Sequence, residues 1–295
     1  MVAKEKIAFI INPKSGTSKK HHLPNLIQET VNDLEFEFDL FYTEYAGHAS
    51  ELATDLVKKG FSKIIAVGGD GTVNEVAKAL VHTNAALGIV PCGSGNGLAR
   101  SLKIPLKADD AINLVNYGKV ISMDYGTINQ QPFFCTCGVG FDAHIGNKFA
   151  TSTNRGFITY IKETIRAYFY YRPRKYSIKI DGEKIKTRAF LVTVANAGQY
   201  GNDAYIAPQA ELQDGKLDLC ILNPFPKHHA LNLGFRLFNK TMDRSEYINT
   251  IKGQSITIKR KKKGEVHMDG EPAIMGKKLK IKIIELGLKV IVPRG

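Results

Sequence analysis

The chain has 295 residues, of which 43% are hydrophobic, and it carries a formal net charge of +13 at pH 7. This length accommodates one large or two ordinary domains, and the hydrophobic fraction is normal for a soluble globular protein. No apolar run approaches the roughly 20 residues that span a bilayer, and the apolar stretch at the N-terminus is too short for a secretory signal, so we expect a cytoplasmic protein.

Strand and helix signals alternate from residue 4 to about residue 117. Buried apolar runs or alternating patterns predict the strands, and amphipathic periodicity predicts the helices. In chain order the predicted elements are a strand at 6–11, a helix at 23–32, a strand at 35–42, a helix at 48–59, a strand at 64–67, a helix at 72–81 and a strand at 87–90. This alternation predicts an α/β domain over residues 1–118, with a parallel sheet and helices on both faces.

The character of the sequence changes after residue 118. Strands are predicted at 120–128, 132–139, 176–180, 184–196, 217–222 and 255–260, with helices at 157–171 and 228–239. Asp-Gly turns at 181–182, 214–215 and 269–270 punctuate this half. We therefore predict a mainly antiparallel β domain over residues 119–295, and we leave open that its C-terminal tail returns to the first domain.

The most informative segment joins the predicted strand at 64–67 to the following helix, and it reads Gly68-Gly69-Asp70-Gly71-Thr72-Val73-Asn74-Glu75. Glycine amides at a helix N-terminus can face a phosphate, and the helix dipole favours the negative charge. Asp70 would repel phosphate directly, so it fits best if a divalent cation or an ordered water lies between them. The alternative is an ordinary Asp-Gly turn. Neither the Walker pattern nor a Gly-x-Gly-x-x-Gly at the first strand is present.

Basic residues are concentrated near the C-terminus, where residues 252–295 hold 12 Lys or Arg against 4 Asp or Glu. The runs at 259–263 and 277–282 suit an anionic surface such as phospholipid headgroups. The alternative is a solvated strand edge whose lysines prevent aggregation. No nucleic-acid-binding module accompanies the charge, so we expect a membrane surface rather than a nucleic acid as partner. The oligomeric state is left open, with a homodimer as one alternative.

Three motifs in this order resemble the diacylglycerol kinase catalytic family, which includes bacterial soluble lipid kinases, sphingosine kinases and ceramide kinases. They are Asn12-Pro13-x-Ser15-Gly16 after the first strand, Gly68-Gly69-Asp70-Gly71-Thr72 after the third, and Pro91-x-Gly93-Ser94-Gly95-Asn96 after the fourth. The resemblance continues through 138–143, 208–215 and Asp269-Gly270-Glu271. It therefore covers nearly the whole chain.

The resemblance implies a transferase of phospholipid biosynthesis that uses ATP and Mg²⁺ to phosphorylate a lipid hydroxyl, such as that of diacylglycerol or a sphingoid base. ATP would bind the first domain and the lipid the second. The implied nucleotide-binding residues are Asn12, Pro13, Lys14, Ser15, Gly16, Thr43, Gly68, Gly69, Asp70, Gly71, Thr72, Val73, Asn74, Ser94 and Asn96. A family magnesium site would fall on the loop 211–216, with the Asp214 side chain and the carbonyls of Glu211 and Lys216 as ligands.

The resemblance also implies that Glu271 is the general base and that Asp70 holds the metal or its water. A carboxylate within hydrogen-bond reach can accept the proton of a weakly nucleophilic hydroxyl during phosphoryl transfer. Asp181-Gly182-Glu183 contains the same three letters as Asp269-Gly270-Glu271, and we interpret it as a plain hairpin tip. Asp269 would share a strand face with Glu271, at about 6.6 Å along the strand, and could be its partner.

Asp142 is a weaker candidate, either near the lipid headgroup or as a helix cap. The fourth loop, Gly93-Ser94-Gly95-Asn96-Gly97, is closer to the sphingoid and ceramide kinase pattern than to that of many bacterial members, which leaves the lipid undetermined. Two other functions remain open. One is a nucleotide kinase similar to NAD kinase, and the other is a lipid-binding regulator without catalytic activity.

Overall fold

A computed structural model describes residues 4–16, 22–150, 166–168 and 170–294 of the chain. The chain forms two compact units, one comprising Met1–Met123 and Leu286–Gly295, the other Asp124–Glu285. The helix predicted at 157–171 falls largely outside the described residues. Within the described residues, none of the helices combines the length and the hydropathy that crossing a bilayer would require.

The first unit is an α/β fold. Its elements are β1 (Glu5–Ile11), α1 (Leu23–Thr30), β2 (Phe36–Tyr42), α2 (His48–Lys58), β3 (Lys63–Gly68), α3 (Asp70–Leu80), β4 (Ala86–Pro91), α4 (Gly97–Ser101), α5 (Ala108–Tyr117) and the beginning of β5 (Lys119–Ile128). The strands lie parallel in the order β2-β1-β3-β4. Buried residues run continuously along β1 and β3, as expected for parallel strands covered on both faces.

The second unit is built mainly from antiparallel strands. After β5 come β6 (Gln131–Phe133), β7 (Thr136–Gly140), α6 (Phe141–Ala150), β8 (Arg174–Ile180), β9 (Glu183–Ala189), β10 (Leu191–Ala195), β11 (Leu217–Leu222), α7 (Ala230–Phe238), β12 (Ile248–Gly253), β13 (Ser255–Arg260), β14 (Gly264–Met268), β15 (Glu271–Met275) and β16 (Lys278–Val292), whose residues from Leu286 onward belong to the first unit. One sheet has the order β12-β11-β10-β7-β14-β15, and β9-β8-β13-β16 form a second layer. The α/β and antiparallel β fold classes predicted for the two halves are confirmed.

Alternating side chains of β10 and β11 supply two separate cores. Val192, Val194 and Leu219 pack in the core shared with the inward-facing isoleucines of β8 and β13. Leu191 and Leu222 face the opposite side of the same sheet, where Leu233 of α7 joins them. The second unit is therefore a two-layer sandwich, with α7 covering the outer face of the six-stranded sheet.

Two predicted strands were wrong as single elements. The segment 184–196 divides at Phe190, because β9 and β10 belong to different layers and the Phe190 ring packs against Phe141, with centroids 4.5 Å apart. The segment 132–139 divides at Phe134 and Cys135, because their N–H groups donate to the side chain of Asp269 instead of to a neighbouring strand. In both cases a tertiary contact interrupts a continuous β-forming sequence.

Gly126 of β5 provides a test of the packing in the second unit. It pairs with Phe133 of β6, and a methyl group at Gly126 would overlap the fully buried Phe133 ring. We expect Gly126→Ala to lower the free energy of unfolding by about 1–3 kcal/mol, as overpacking does. The control is Gly234→Ala in α7, where a methyl group meets nothing within 4 Å, and it should be neutral or stabilising. Equal urea midpoints for the two variants would contradict this packing.

Candidate active site

In the first unit, the loops at the carboxyl ends of neighbouring parallel strands are joined by hydrogen bonds. Asn12 Nδ2, after β1, donates to Thr72 Oγ1 in the first turn of α3 at 3.0 Å. The backbone N–H of Thr43, after β2, donates to the carbonyl of Ile11 at 2.9 Å. The structure therefore places these predicted residues along one rim of the sheet, where open α/β folds bind ligands.

Asp70 ties the loop after β3 to the loop after β4. Its Oδ2 accepts the backbone N–H of Asn96 at 2.8 Å, and its Oδ1 accepts that of Gly97 at 2.7 Å. Asn96 in turn accepts the Gly93 N–H through its own side chain at 3.0 Å, closing the fourth loop on itself. Asp70 thus serves as a tie between loops, while its predicted role toward a metal stays a prediction.

The N-terminus of α3 has the properties of a backbone anion site. The helix begins at Asp70, and its N-cap residue, Gly69, offers no side-chain cap. The first N–H groups of a helix have no partner within the helix, and the dipole makes this end positive. A Cβ atom at Gly93 would lie 2.8 Å from the Gly69 Cα, so only glycine permits the two loops to approach this closely. A phosphate group could therefore reach backbone donors that larger residues would block.

The other predicted nucleotide-binding residues differ in exposure. Val73 and Asn74 are buried in α3, so their side chains face the interior of the unit. The residues that are exposed or half-buried are Pro13, Lys14, Ser15, Gly16, Gly71 and Ser94. Gly16 has a φ of 77° and lies against the Cys92 carbonyl, which brings the first and fourth loops together.

Glu75 is a residue whose role sequence reasoning missed. Its carboxylate accepts the backbone N–H of Gly47 at 2.9 Å and that of Ala49 at 3.2 Å. Gly47 is the N-cap of α2 and has no side chain that could satisfy these donors. Glu75 therefore caps α2 from α3, and the glycine at that N-cap is the signal in the sequence that an outside acceptor is needed.

In the second unit, Glu271 opens β15 on the hairpin that joins β14 to β15. It is paired with Met268 across the hairpin and is exposed. Among the described residues, its carboxylate has no hydrogen-bond or ion-pair partner. The role of Glu271 as general base stays a prediction.

Asp269 occupies the turn of the same hairpin, with a φ of 50°, and is not part of a strand. The expectation that Asp269 and Glu271 share a strand face was therefore wrong. The Asp269 carboxylate instead accepts three consecutive backbone N–H groups, from Phe134, Cys135 and Thr136, at 2.7–3.0 Å. Burial raises the pKa of Asp269, and these three hydrogen bonds oppose the rise. Asp269 anchors the Glu271 hairpin to the segment between β6 and β7.

A cluster around Asp142 was only partly anticipated. Asp142 Oδ2 accepts a hydrogen bond from Thr193 Oγ1 at 2.6 Å and lies 3.0 Å from His267 Nε2, with Tyr200 Oη at 3.3 Å. A Cβ at Gly138 would lie 2.6 Å from both Asp142 Oδ2 and His267 Nε2. The cluster forms only because position 138 is glycine. Asp142 is in the first turn of α6, and a role near a lipid headgroup stays a prediction.

The loop predicted to hold magnesium is tied to protein groups. Asp214 Oδ1 accepts the backbone N–H of Lys216 at 3.0 Å, and its Oδ2 forms an ion pair with Lys252. Asp124 Oδ2 accepts the Gly215 N–H at 2.8 Å. Burial raises the pKa of the adjacent Asp218 to about 6, although Lys252 lowers it.

These contacts leave the loop poorly suited to a metal ion. Mg²⁺ takes hard oxygen ligands, and Asp214 offers one, but the Lys252 ammonium already compensates its charge. In the described parts of the chain, His, Cys, Asp and Glu side chains nowhere gather in threes in a way that could hold a metal. The residues as placed do not present a ready magnesium site, and the ligand set Glu211, Asp214 and Lys216 stays a prediction.

Each half of the chain matches a known protein family. Residues 6–128 match the family described as the diacylglycerol kinase catalytic domain, and residues 135–290 match the YegS C-terminal NAD kinase beta sandwich-like domain. The chain is 28% identical to the diacylglycerol kinase of Bacillus subtilis, over 89% of this chain and 88% of that protein.

Two further proteins are similar over most of their length. The probable lipid kinase YegS of Escherichia coli is 28% identical over 84% of this chain and 83% of its own. A crystal structure from Bacillus anthracis, provisionally assigned as a diacylglycerol kinase, superposes with a TM-score of 0.80 and 25% identity over 98% of this chain and 97% of that one. Since both halves match in order, the chain belongs to the diacylglycerol kinase catalytic family.

Proposed function

We propose that this protein is an ATP-dependent lipid kinase that transfers the γ-phosphate of ATP to a lipid hydroxyl. The observation that carries the proposal is the uncapped, glycine-lined N-terminus of α3, in a chain that belongs to a family of lipid kinases. A triphosphate matches this arrangement because its charge is delocalised over oxygens that accept several N–H groups at once.

In the proposed reaction, the phosphates of ATP bind the N–H groups of the loop after β3 and the first turn of α3. The bond from the γ-phosphorus to the bridging oxygen breaks, leaving ADP, as a bond forms to the lipid oxygen. Negative charge develops on the transferred group and on the leaving oxygen. Fixed amides stabilise that charge without reorganising during the reaction.

Glu271 is the proposed general base. The lipid hydroxyl loses its proton as its oxygen attacks phosphorus, and the exposed Glu271 carboxylate accepts that proton. Asp269 is a positioning residue in this proposal, because it holds the hairpin through three backbone N–H groups without contacting the substrate. Asp70 is likewise a positioning residue, through Asn96 and Gly97.

Magnesium bound with ATP would neutralise part of the triphosphate charge. No protein ligand is assigned to it, because Asp70 and Asp214 are both engaged by other groups. A long-chain lipid acceptor resides in a bilayer, so we also propose that the protein associates peripherally with an anionic membrane surface. The charge of +13 favours that association.

One alternative has a specific observation in its favour. The family matched by residues 135–290 is described as NAD kinase beta sandwich-like, which keeps a nucleotide acceptor open. We favour a lipid because relatives that match over more than four-fifths of this chain are named as diacylglycerol or lipid kinases. A lipid-binding regulator without catalysis is a further alternative, which the same assay addresses.

The substrate class can be tested by incubating the purified protein with labelled ATP and a panel of acceptors. The panel contains diacylglycerol, monoacylglycerol, sphingosine, ceramide and NAD. We expect label in at least one lipid and none in NAD. Label in NAD alone would show a nucleotide kinase, and label in no acceptor would favour the regulator.

Glu271 can be tested against a matched control with the same local sequence. Glu271→Gln keeps the size of the side chain but removes the proton acceptor, so we expect kcat to fall by about 10²–10⁴-fold with little change in the KM for ATP. Glu183→Gln alters the equivalent position of the Asp181-Gly182-Glu183 hairpin. That control should retain wild-type kcat, and an equal loss in both variants would exclude a specific role for Glu271.

Asp70 can be tested through nucleotide affinity. An amide at this position cannot accept both the Asn96 and the Gly97 N–H groups, since one of its two terminal atoms is itself a donor. We expect Asp70→Asn to raise the KM for ATP by about tenfold or more, equivalent to losing one charged hydrogen bond. Asp109→Asn, at an exposed position in α5, removes the same charge and should leave the KM unchanged. An unaltered KM in Asp70→Asn would refute the role of this tie.

A further inference from the structure

Helix α7 is apolar on two sides. On its inner side, Leu233 is 6% exposed and packs in the core between α7 and the outer face of the six-stranded sheet. On its outer side, Leu231, Phe235 and Phe238 are 88%, 67% and 48% exposed. These three residues follow the spacing i, i+4 and i+7, so they form one stripe along the helix. Nothing in the fold requires large apolar side chains at exposed positions, so this stripe indicates a partner.

The charges around the stripe indicate what kind of partner this is. From Lys227 to Met242 the sequence contains Lys227, Arg236 and Lys240 and no Asp or Glu; the exposed Asp243 and Glu246 come only after this segment. Lys227 and Lys240 are exposed, at either end of the helix. Exposed Leu and Phe side chains flanked by Lys and Arg are the composition of helices that lie in the interface of an anionic bilayer.

The opposite side of the second unit has a different character. The outward-facing residues of the second layer form a surface that we call the lysine face. They are the odd-numbered residues of 175–179 and 255–259 and the even-numbered residues of 184–188 and 278–282. All are Lys, Arg, Ser or Thr. Three cross-strand pairs there join like charges, Lys175 with Arg188, Lys179 with Lys184, and Lys259 with Lys278. This face can attract anions, but it offers no apolar group that could enter a membrane.

We infer that α7 is the membrane-docking element of this protein, with Leu231, Phe235 and Phe238 entering the interface of an anionic phospholipid bilayer. The inference rests on the proposed lipid kinase function for its biological meaning. Because α7 and the lysine face lie on opposite sides of the sandwich, a flat bilayer can contact only one of them closely. The lysine face therefore points away from the membrane when α7 is docked.

A second copy of the chain is a poorer occupant of the stripe. In a symmetric dimer the same surface of both copies meets itself. Pairing α7 with α7 would bring the cations at Lys227, Arg236 and Lys240 together with no acidic residue of this segment to compensate them. An anionic bilayer, in contrast, supplies both an apolar layer and opposite charge.

The chain lacks tryptophan, which permits a direct test with a single reporter. Phe235→Trp places the reporter on the stripe, and Thr257→Trp places it on the lysine face. Both variants are mixed with vesicles of equal parts phosphatidylglycerol and phosphatidylcholine. We expect a blue shift, and quenching by brominated lipid, for Phe235→Trp only. A shift confined to Thr257→Trp, or a shift for neither, would overturn the inference.

Vesicle sedimentation provides a second measurement with matched variants. Replacing Leu231, Phe235 and Phe238 together by Gln should lower the partition coefficient at least about tenfold, and the loss should persist at high salt. Lys227→Gln with Lys240→Gln should weaken binding more than Lys179→Gln with Lys259→Gln, although each pair removes two charges. The reverse order would overturn the inference, as would a triple variant that binds normally but changes oligomeric state.

Both measurements are made without ATP, so they do not depend on whether the protein is a kinase. Loss of docking by the triple variant with no phosphate transfer in the acceptor panel would support α7 and reject the proposed activity. Phosphate transfer to a lipid, together with unchanged vesicle binding by the triple variant, would support the proposed activity and reject α7 as the docking element. All the substituted positions are exposed except Thr257, which is half-buried, so the substitutions spare the buried cores.

Discussion

The loops that carry the candidate site are held by carboxylates that accept backbone N–H groups from distant segments. Asp70 holds the fourth loop, Glu75 caps α2, and Asp269 accepts three consecutive backbone N–H groups, from Phe134 to the first residue of β7. Such charge-assisted bonds are stronger than neutral ones, and removing one of these carboxylates leaves two or three backbone donors without that acceptor. Loops rich in glycine have little side-chain packing of their own. Their shape therefore depends on these acids more than on hydrophobic contacts.

The sequence Asp-Gly-Glu occurs in two hairpins, at 181–183 and 269–271, and the two differ in what the aspartate carboxylate binds. Asp181 and Asp269 both have positive φ, at 44° and 50°, so their local turns are alike. Asp181 accepts the N–H groups of Gln254 and Ser255 in an exposed turn. Asp269 accepts those of a buried segment instead. The same short sequence thus makes a surface hairpin in one place and a fixed support for Glu271 in the other.

This comparison explains which parts of the molecule could be predicted from the sequence. The parallel strands were predictable because each is a short apolar run bounded by turn residues, and the glycine loops were predictable because their composition is unusual. The division of 184–196 at Phe190 was not, since both halves favour β structure and only the packing of the Phe190 ring separates them. Nor was the contact of His267 with Asp142, which are 125 residues apart and meet over a glycine. Periodicity describes which side of an element is apolar, but not which distant group lies opposite.

The same limit applies to the positive charge. Counting residues located the basic runs near the C-terminus, and the structure distributes the outward lysines of β8, β9, β13 and β16 over one face that contains no apolar side chain. Attraction between that face and an anionic surface is screened over about 8 Å at physiological salt and has little directional preference. The stripe on α7 differs, because its apolar side chains leave water only when the helix lies against the interface. In the proposed docking, the high net charge attracts the protein to an anionic membrane, but orientation there requires a surface where charge and apolar groups occur together, and α7 has both.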